Sequence, residues 1–331
     1  MRRGVIVITG LLLGSTMPAV AHHSRAGFEL DAVTAVQGRV ADFNWSNPHV
    51  YIEIESIDEA GAMATWVIET DAIPILLRSG WTSESVSVGD SVLVRANPGK
   101  EGNEQHGLLV SLAKDDGTIL LPRAHFERDL APARATARAD SLAGVWELPF
   151  GETGDFMQRW AAHELTPAGR AGFESFSPED RPSGKCIANP TPQFMAMPFL
   201  NEIELQDDRI IMRSEFLDAE RVIYMDGREH PADGPRTTQG HSIGSWEDDV
   251  LVIDTTLFAD HRAPIRGPRE GVPSGAQRHV VERLQLSDDG TRVDIEFLVE
   301  DPEFLTEPFT GTLEWRYVPD FELSSFTCTL P

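Results

Sequence analysis

The sequence predicts an all-β protein built as two successive barrels, a small one followed by a larger antiparallel one. Three observations support this fold class. Most of the chain consists of short segments in which apolar and polar residues alternate, and tight-turn residues separate these segments. The length of 331 residues suggests about two domains. Hydrophobic residues make up 41% of the chain, which is enough to fill real cores and too much for a disordered protein.

The chain is strongly acidic, with 28 basic and 53 acidic side chains and a formal net charge of −25. Nucleic-acid binding depends on cationic side chains that neutralise phosphates, so this balance argues against a nucleic-acid partner. It also disfavours attachment to anionic membrane surfaces. The charge indicates a solvated acidic surface that keeps the protein in solution.

Residues 1–21 have the three parts of a secretory signal peptide. Arg2 and Arg3 form the positive start, an apolar core follows, and Ala19-Val20-Ala21 is a small-residue cleavage site. We predict cleavage after Ala21 and a periplasmic or secreted mature protein. No apolar run reaches the ~20 residues that a membrane span needs, so no span is predicted.

The chain contains two cysteines, Cys186 and Cys328. An exported chain meets an oxidising compartment, and closing a long loop would stabilise it, so we predict a disulfide between them. Two unrelated buried thiols are the alternative. Neither their spacing nor their surroundings match a CxxC redox motif or a zinc motif.

The first predicted domain, residues 22–121, is an OB-like small barrel. Its predicted strands cover residues 36–42, 50–57, 65–70, 91–96 and 107–113. A short helix over residues 73–79, ended by Gly80, lies between the third and fourth strands, and this order matches an OB-fold. The cationic groove with stacking aromatics that single-strand binding requires is missing, so the tryptophans are interpreted as core and rim packing.

Four short motifs stand in this part of the chain: His22-His23-Ser24, Trp45-Ser46-Asn47-Pro48-His49, Gly80-Trp81 and Gly89-Asp90. Together they resemble a widespread family of uncharacterised exported bacterial proteins, classed as a domain of unknown function. The resemblance covers about residues 22–121 and implies the fold and the compartment. The family has no established activity, so the resemblance implies no site residue.

Cleavage after Ala21 would make His22 the first residue of the mature chain, followed directly by His23. A free α-amine, the imidazole of His22 and a second imidazole form a compact nitrogen site suited to Cu(II). His22, His23 and His49 are therefore candidate copper ligands. The alternative is a disordered polar terminus, with His49 capping the turn that precedes it.

After a linker over residues 122–140, the second domain covers residues 141–331. It opens with Gly144-Val145-Trp146, which resembles the entry of lipocalin-like barrels. Its predicted strands cover residues 202–205, 209–216, 220–224, the two arms of a hairpin over 240–255, and residues 279–286, 292–300 and 311–317. Seven or eight strands joined by tight turns suggest one antiparallel lipocalin-like β-barrel, large enough to hold a ligand. Segments such as 225–231 and 279–283 resemble uncharacterised exported proteins of soil and marine bacteria, which carry no known activity.

The hairpin over residues 240–255 contains two of the candidate catalytic residues. His241 lies on its first arm. Asp254 lies on the second arm, on the same face as Val250 and Val252. A chain that places titratable groups beside a core strand either supports a hydrogen-bond network or builds a site.

Strand alternation places Glu282 on one face with apolar neighbours, so this carboxylate is predicted to point into the barrel. A buried carboxylate must be paired or its pKa rises. Its candidate partners are Arg221, Arg228, His230 and His241. One interpretation is a structural ion pair or hydrogen bond. The other is a general acid or base in a pocket whose candidate catalytic residues are His241, Asp254, Glu282 and His230.

We predict that the second barrel binds a small, partly apolar molecule. The alternative is an enzyme that uses the histidine and carboxylate cluster for acid–base chemistry without an organic cofactor, and a third hypothesis is copper binding at the mature N-terminus. A P-loop, a dinucleotide fingerprint, an HExxH motif and an EF-hand are all missing from the sequence. Glu282 within hydrogen-bonding reach of a histidine in an open cavity would favour the enzyme.

Overall fold

The computed structural model describes residues 27–57, 61–100, 102–123, 137–149, 151–177, 180, 182–263 and 271–328. The described chain consists mostly of strands with few helices, arranged as a five-stranded barrel followed by a nine-stranded barrel. The predicted all-β fold is therefore confirmed. Within these residues no helix is both long enough and apolar enough to cross a membrane.

The first barrel is formed by β1 (Thr34–Asn44), β2 (Tyr51–Ile57), β3 (Met63–Glu69), β4 (Ser91–Pro98) and β5 (His106–Lys114). Strand β1 pairs with β2 and β4, and a parallel pairing of β3 with β5 closes the barrel. Helix α1 (Ile73–Arg78) lies between β3 and β4, as predicted, and the short strand β6 (Ile119–Leu120) pairs with β5. Alternating burial along the strands forms the core of the first barrel. In β2 every second residue, beginning with Ile52, is buried.

The second barrel is formed by β7 (Gly144–Glu147), β8 (Leu200–Leu205), β9 (Arg209–Ser214), β10 (Ala219–Tyr224), β11 (His241–Glu247), β12 (Val250–Thr256), β15 (His279–Leu286), β16 (Arg292–Glu300) and β17 (Phe309–Tyr317). It has nine strands where seven or eight were predicted, and β10 pairs with β11 in parallel. A parallel pair cannot be joined by a tight turn, so residues 225–240 form a longer crossover between these strands. A two-stranded sheet of β13 (His261–Ala263) and β14 (Val272–Ser274) lies beside the barrel.

Much of the interior of the second barrel is filled by the protein itself. Helix α2 (Glu152–Ala162) contributes Phe156 and Trp160 to the core, and α3 (Pro167–Glu174) follows it along the chain. Residues 189–196 are buried, and the backbone carbonyl of Met195 accepts a 3.0 Å hydrogen bond from the indole of Trp315. This segment therefore occupies space that the sequence prediction assigned to a ligand.

The predicted disulfide between Cys186 and Cys328 is confirmed. It ties the segment that enters the second barrel to the C-terminal residues. The same C-terminal residues contact the first barrel, because the side-chain amide of Asn47 donates to the carbonyl of Phe326 and accepts a 2.9 Å hydrogen bond from the amide of Ile73. Asn47 of the Trp-Ser-Asn-Pro-His motif therefore links the two barrels.

Apolar and ionic contacts complete the junction between the barrels. Ala72 and Ile75 of the first barrel cluster with three phenylalanines of the second, Phe199, Phe216 and Phe326. Arg78, at the end of α1, forms an ion pair of 2.5 Å with the buried carboxylate of Glu215.

Candidate functional site

Both faces of β12 are apolar, and the structure shows which of them lies inside the barrel. Leu251 and Ile253 are fully buried, whereas Asp254 lies on the outer face with a side chain that is 42% exposed. His241 lies on the same outer face of β11, because its neighbour Ser242 points inward. The prediction that Glu282 shares one interior pocket with His241 and Asp254 is therefore wrong.

Glu282 points into the barrel, as strand alternation predicted, and is fully buried. Its carboxylate forms an ion pair of 2.5 Å with Arg221 and accepts a hydrogen bond from the hydroxyl of Thr191. The remaining donors of Arg221 reach Ser242 at 2.9 Å and Thr255 at 2.6 Å. This closed interior network matches the structural interpretation of Glu282, and its described hydrogen bonds include no histidine.

The other three candidate residues, His241, His230 and Asp254, meet on the outer face together with His279 and Glu300. We call these five residues the histidine relay. Nδ1 of His241 lies 2.9 Å from Nδ1 of His230, whose Nε2 lies 3.0 Å from Oδ1 of Asp254. The same carboxylate oxygen lies 3.1 Å from Nε2 of His279, and Nδ1 of His279 lies 2.9 Å from Glu300. Four hydrogen bonds thus join five side chains in one line.

Four strands and one crossover supply this line. His241, Asp254 and His279 lie on the neighbouring strands β11, β12 and β15, and Glu300 lies directly opposite His279 on β16. His230 comes from the crossover that the parallel pairing of β10 and β11 requires. The relay therefore depends on the parallel pairing of β10 with β11.

The acceptors in the relay determine where the protons lie. A carboxylate accepts hydrogen bonds and cannot donate them, so both ring nitrogens of His279 carry a proton. Nε2 of His230 also carries a proton, because it faces Asp254. In the tautomer with its proton on Nε2, His230 accepts at Nδ1 from Nδ1–H of His241. Nε2 of His241 is then left as an unprotonated base.

The pKa shifts agree with this assignment. The pKa of His279 is raised: burial by itself lowers it, but hydrogen bonds to Glu300 and Asp254 outweigh that effect. The pKa of His241 is lowered, mainly by burial and further by the nearby guanidinium of Arg228. The shifts therefore favour the protonated form of His279 at one end of the relay and the neutral form of His241 at the other.

Aromatic and cationic groups extend the site beyond His241. The ring of Tyr224 stacks on His241 at 5.2 Å between centroids, and the guanidinium of Arg228 lies 3.8 Å from the centre of the Tyr224 ring. Arg228 also pairs with Asp226 at 2.5 Å, and its side chain is 43% exposed. A stack of a cation, a phenol ring and an imidazole therefore borders the unprotonated nitrogen.

The sequence reasoning missed His279, Glu300 and Tyr224. A usable signal existed for His279, because it begins the same strand as Glu282 and alternation places it on the opposite, outward face. Another unused signal is Gly240-His241-Ser242-Ile243-Gly244, which matches the Gly-x-Ser-x-Gly pattern of nucleophile elbows. The structure excludes that role, because Ser242 lies within the start of β11, is buried, and binds Arg221.

Of the three predicted copper ligands, the described residues include His49 alone. His22 and His23 lie outside the described residues. Nδ1 of His49 lies 3.1 Å from the carbonyl of Thr70 and 3.4 Å from the carboxylate of Glu69. Across the described ranges, no group of three or more histidine, cysteine, aspartate or glutamate side chains is arranged to hold a metal ion.

The fold and the site together define an all-β protein of two barrels, with a histidine and carboxylate relay on the outer face of the second. The model of a family of unknown function, DUF6152, matches residues 11–109. The predicted resemblance of the first domain to an uncharacterised family is thereby confirmed. No curated protein matches the chain.

Proposed function

We propose that the second barrel carries out acid–base chemistry at the histidine relay, with Nε2 of His241 as the general base. One observation supports this most: a hydrogen-bonded line runs from Glu300 to His241 and ends at a ring nitrogen without a hydrogen-bond partner among the described residues. A base whose pKa lies near the working pH is effective in proton transfer, and histidine meets this condition.

Each member of the relay has a distinct role in this proposal. When Nε2 of His241 takes a proton, the resulting imidazolium donates through Nδ1 to His230. Asp254 accepts from the far side of His230 and stabilises the charge, as the carboxylate does in other histidine-based triads. His279 and Glu300 are positioning residues, because His279 holds Asp254 by a hydrogen bond, Glu300 holds His279, and neither is hydrogen-bonded to His241.

The neighbouring cation indicates the class of substrate. The half-exposed guanidinium of Arg228 stands over Tyr224, one ring away from His241. Its Nε and Nη2 pair with Asp226, and its Nη1 remains to attract a negatively charged group beside the base. We therefore propose a small anionic compound from which His241 removes a proton. The relay needs no organic cofactor for that step.

Acylation by diethyl pyrocarbonate tests the proposal, because this reagent reacts with unprotonated imidazole nitrogens. Peptide mapping should show that His241 is modified faster than His279, whose two ring nitrogens both donate to carboxylates. The rate at His241 should rise with pH, with a midpoint below the ordinary imidazole pKa of about 6.5. Equal rates at His241 and His279 would contradict the proposed protonation states.

A second candidate function is binding of a small, partly apolar molecule inside the second barrel, as the sequence predicted. The observation that favours it is the fully buried guanidinium of Arg278, of which two nitrogens have no hydrogen-bond partner in the described chain. Aromatic rings of Trp160 and Phe258 lie beside this group.

Export of the protein is also proposed. The Cys186–Cys328 disulfide is compatible with an oxidising compartment outside the cytoplasm. Cleavage after Ala21, the domain limits and the copper site at His22, His23 and His49 stay predictions. The intact mass of protein recovered from the periplasm or medium tests the cleavage, because a chain that begins at any residue other than His22 would remove the basis for the copper site.

A further inference from the structure

The crossover between β10 and β11 is attached to the barrel at few points. Its residues 226–235, which we call the crossover segment, are mostly exposed. Among these described residues, His230 is the one whose hydrogen bonds reach the barrel strands, through His241 and Asp254. The nearest other hydrogen bonds to the rest of the described chain come from Met225 and Arg236, which flank the segment. His230 is therefore the hydrogen-bonded anchor of the crossover segment.

The contact between His230 and His241 limits how many protons the two rings can carry. Their Nδ1 atoms lie 2.9 Å apart, so at most one proton fits between them, whichever ring donates it. Each ring can hold one more proton on its Nε2. Two imidazolium rings would place an N–H group against an N–H group and one positive charge against another. The second imidazolium can therefore form only when the contact opens.

The surrounding charges do not remove this conflict. The titratable and charged groups that face the pair are Tyr224 on β10, Asp254 on β12, His279 and Glu300 further along the relay, and Arg228 with its partner Asp226 in the crossover segment. The carboxylate of Asp254 is shared between His230 and His279, so one negative charge faces up to three imidazolium rings. Arg228 adds positive charge near His241 and disfavours its protonation further.

We propose that His230 is an acid-sensitive anchor: when both rings become protonated, its contact with His241 opens and the crossover segment is released from the barrel. The open pair binds one more proton than the closed pair, so falling pH favours the open state. The crossover segment moves because β11, which carries His241, is hydrogen-bonded to strands on both sides. The bond from His230 to Asp254 does not prevent release, since this carboxylate is 42% exposed and exposed ion pairs contribute little.

Release would take the relay apart. It would withdraw His230 from His241, and it would carry Arg228 away from the proposed base. The relay is then assembled only when at least one of the two facing rings is neutral. This consequence for catalysis rests on the proposed function, whereas the release itself depends only on the contact between the two rings.

Backbone ¹⁵N relaxation of the full chain, with its disulfide intact, tests the anchor at pH 7 and pH 5. The lower pH is below the ordinary imidazole pKa of about 6.5 and above the ordinary aspartate pKa of about 3.9, so Asp254 stays charged. Order parameters in the crossover segment should fall below about 0.6 at pH 5, the range of flexible backbone, while β11 and β12 stay near about 0.85. Unchanged order parameters in the segment would overturn the proposal.

Two variants remove the second charge in different ways. His230→Gln keeps a donor and an acceptor but cannot titrate, and His241→Phe keeps a ring against Tyr224 without a charge. Each should abolish the pH dependence of the segment's order parameters. His163→Gln is the matched control and should respond like the wild type, because His163 follows α2 and lies 2.7 Å from the carbonyl of Glu307, outside the relay. A pH response that persists in both His230→Gln and His241→Phe would overturn the proposal.

Acylation at neutral pH separates failure of the anchor from failure of the proposed function. If the crossover segment stays rigid at pH 5 while His241 still reacts faster than His279 at neutral pH, the acid release is wrong and the general base stands. If the segment loosens in acid but the two histidines react equally at neutral pH, the anchor is supported and the general base is wrong.

Discussion

His230 and His241 face each other through their Nδ1 atoms at 2.9 Å, although His230 lies on the crossover and His241 begins β11. A contact between two ring nitrogens needs one donor and one acceptor, so the protonation of each ring depends on the other. Because Asp254 holds the far nitrogen of His230, the direction of this hydrogen bond is set by a carboxylate that His241 does not touch.

Replacing Asp254 should change the titration of His241 without a direct contact between them. In Asp254→Asn the negative charge that stabilises the His241 imidazolium through His230 is lost, so the pKa of His241 should fall further. Titration of the ring protons by NMR measures this shift. Asp249→Asn is the matched control, because Asp249 lies on the same hairpin and binds Gln285 outside the relay. An unchanged His241 titration in Asp254→Asn would show that the relay does not transmit charge.

His279 should make stability depend on pH. Its folded-state pKa is raised, so its contribution is fully present below the unfolded value of about 6.5 and is lost as pH rises through the higher folded value. Relative to wild type, His279→Gln should therefore cost more unfolding free energy in acid than in base. We expect a difference of at most about 1 kcal/mol, because the pair is partly exposed. Urea unfolding of wild type and His279→Gln, at one pH below about 6.5 and one above the raised folded pKa, measures this difference. Equal losses of unfolding free energy at both pH values would contradict the raised pKa of His279.

Breaking the interior ion pair should affect stability and leave the relay intact. Glu282→Gln leaves the buried guanidinium of Arg221 without its counter-charge, which costs about 3–5 kcal/mol when a buried pair loses one partner. Urea unfolding measures the loss. The acylation rate of His241 in the folded variant should equal that of wild type. A stable variant with a slower His241 reaction would instead place Glu282 in the functional site.

The Cys186–Cys328 disulfide should contribute strongly to stability. It joins residues 142 positions apart, for which loop-closure entropy gives about 5 kcal/mol as an upper value. The double variant Cys186→Ser with Cys328→Ser should unfold at a lower urea concentration than the wild type. Thiol labelling without reductant provides the control, because folded wild-type protein should not react. Labelling of both cysteines in that sample would show that the bridge is absent.

Strand alternation predicted much of the fold, including the inward direction of Glu282. It could not decide which face of β12 is inside, because Val250 and Val252 on one face are as apolar as Leu251 and Ile253 on the other. That choice depends on pairing with β11 and β15, where Ser242 and Glu282 point inward.

For a related reason, local sequence patterns could not predict how the relay is assembled. His230 reaches Asp254 from a crossover whose path follows from the parallel pairing of β10 and β11. No turn signal in residues 225–240 distinguishes such a crossover from a long hairpin loop. The grouping of His230, His241 and Asp254 was foreseen only as a list of candidates, and the structure shows where they meet.

The protonation states of the three relay histidines test the central claim most directly. Long-range ¹H–¹⁵N correlation spectra, recorded at neutral pH on protein with labelled histidines, distinguish protonated from unprotonated ring nitrogens. The account predicts that His241 carries its proton on Nδ1 with Nε2 free, that His230 carries its proton on Nε2, and that His279 carries both. A His241 ring protonated at Nε2 would contradict the account, because no general base would then stand at the end of the relay.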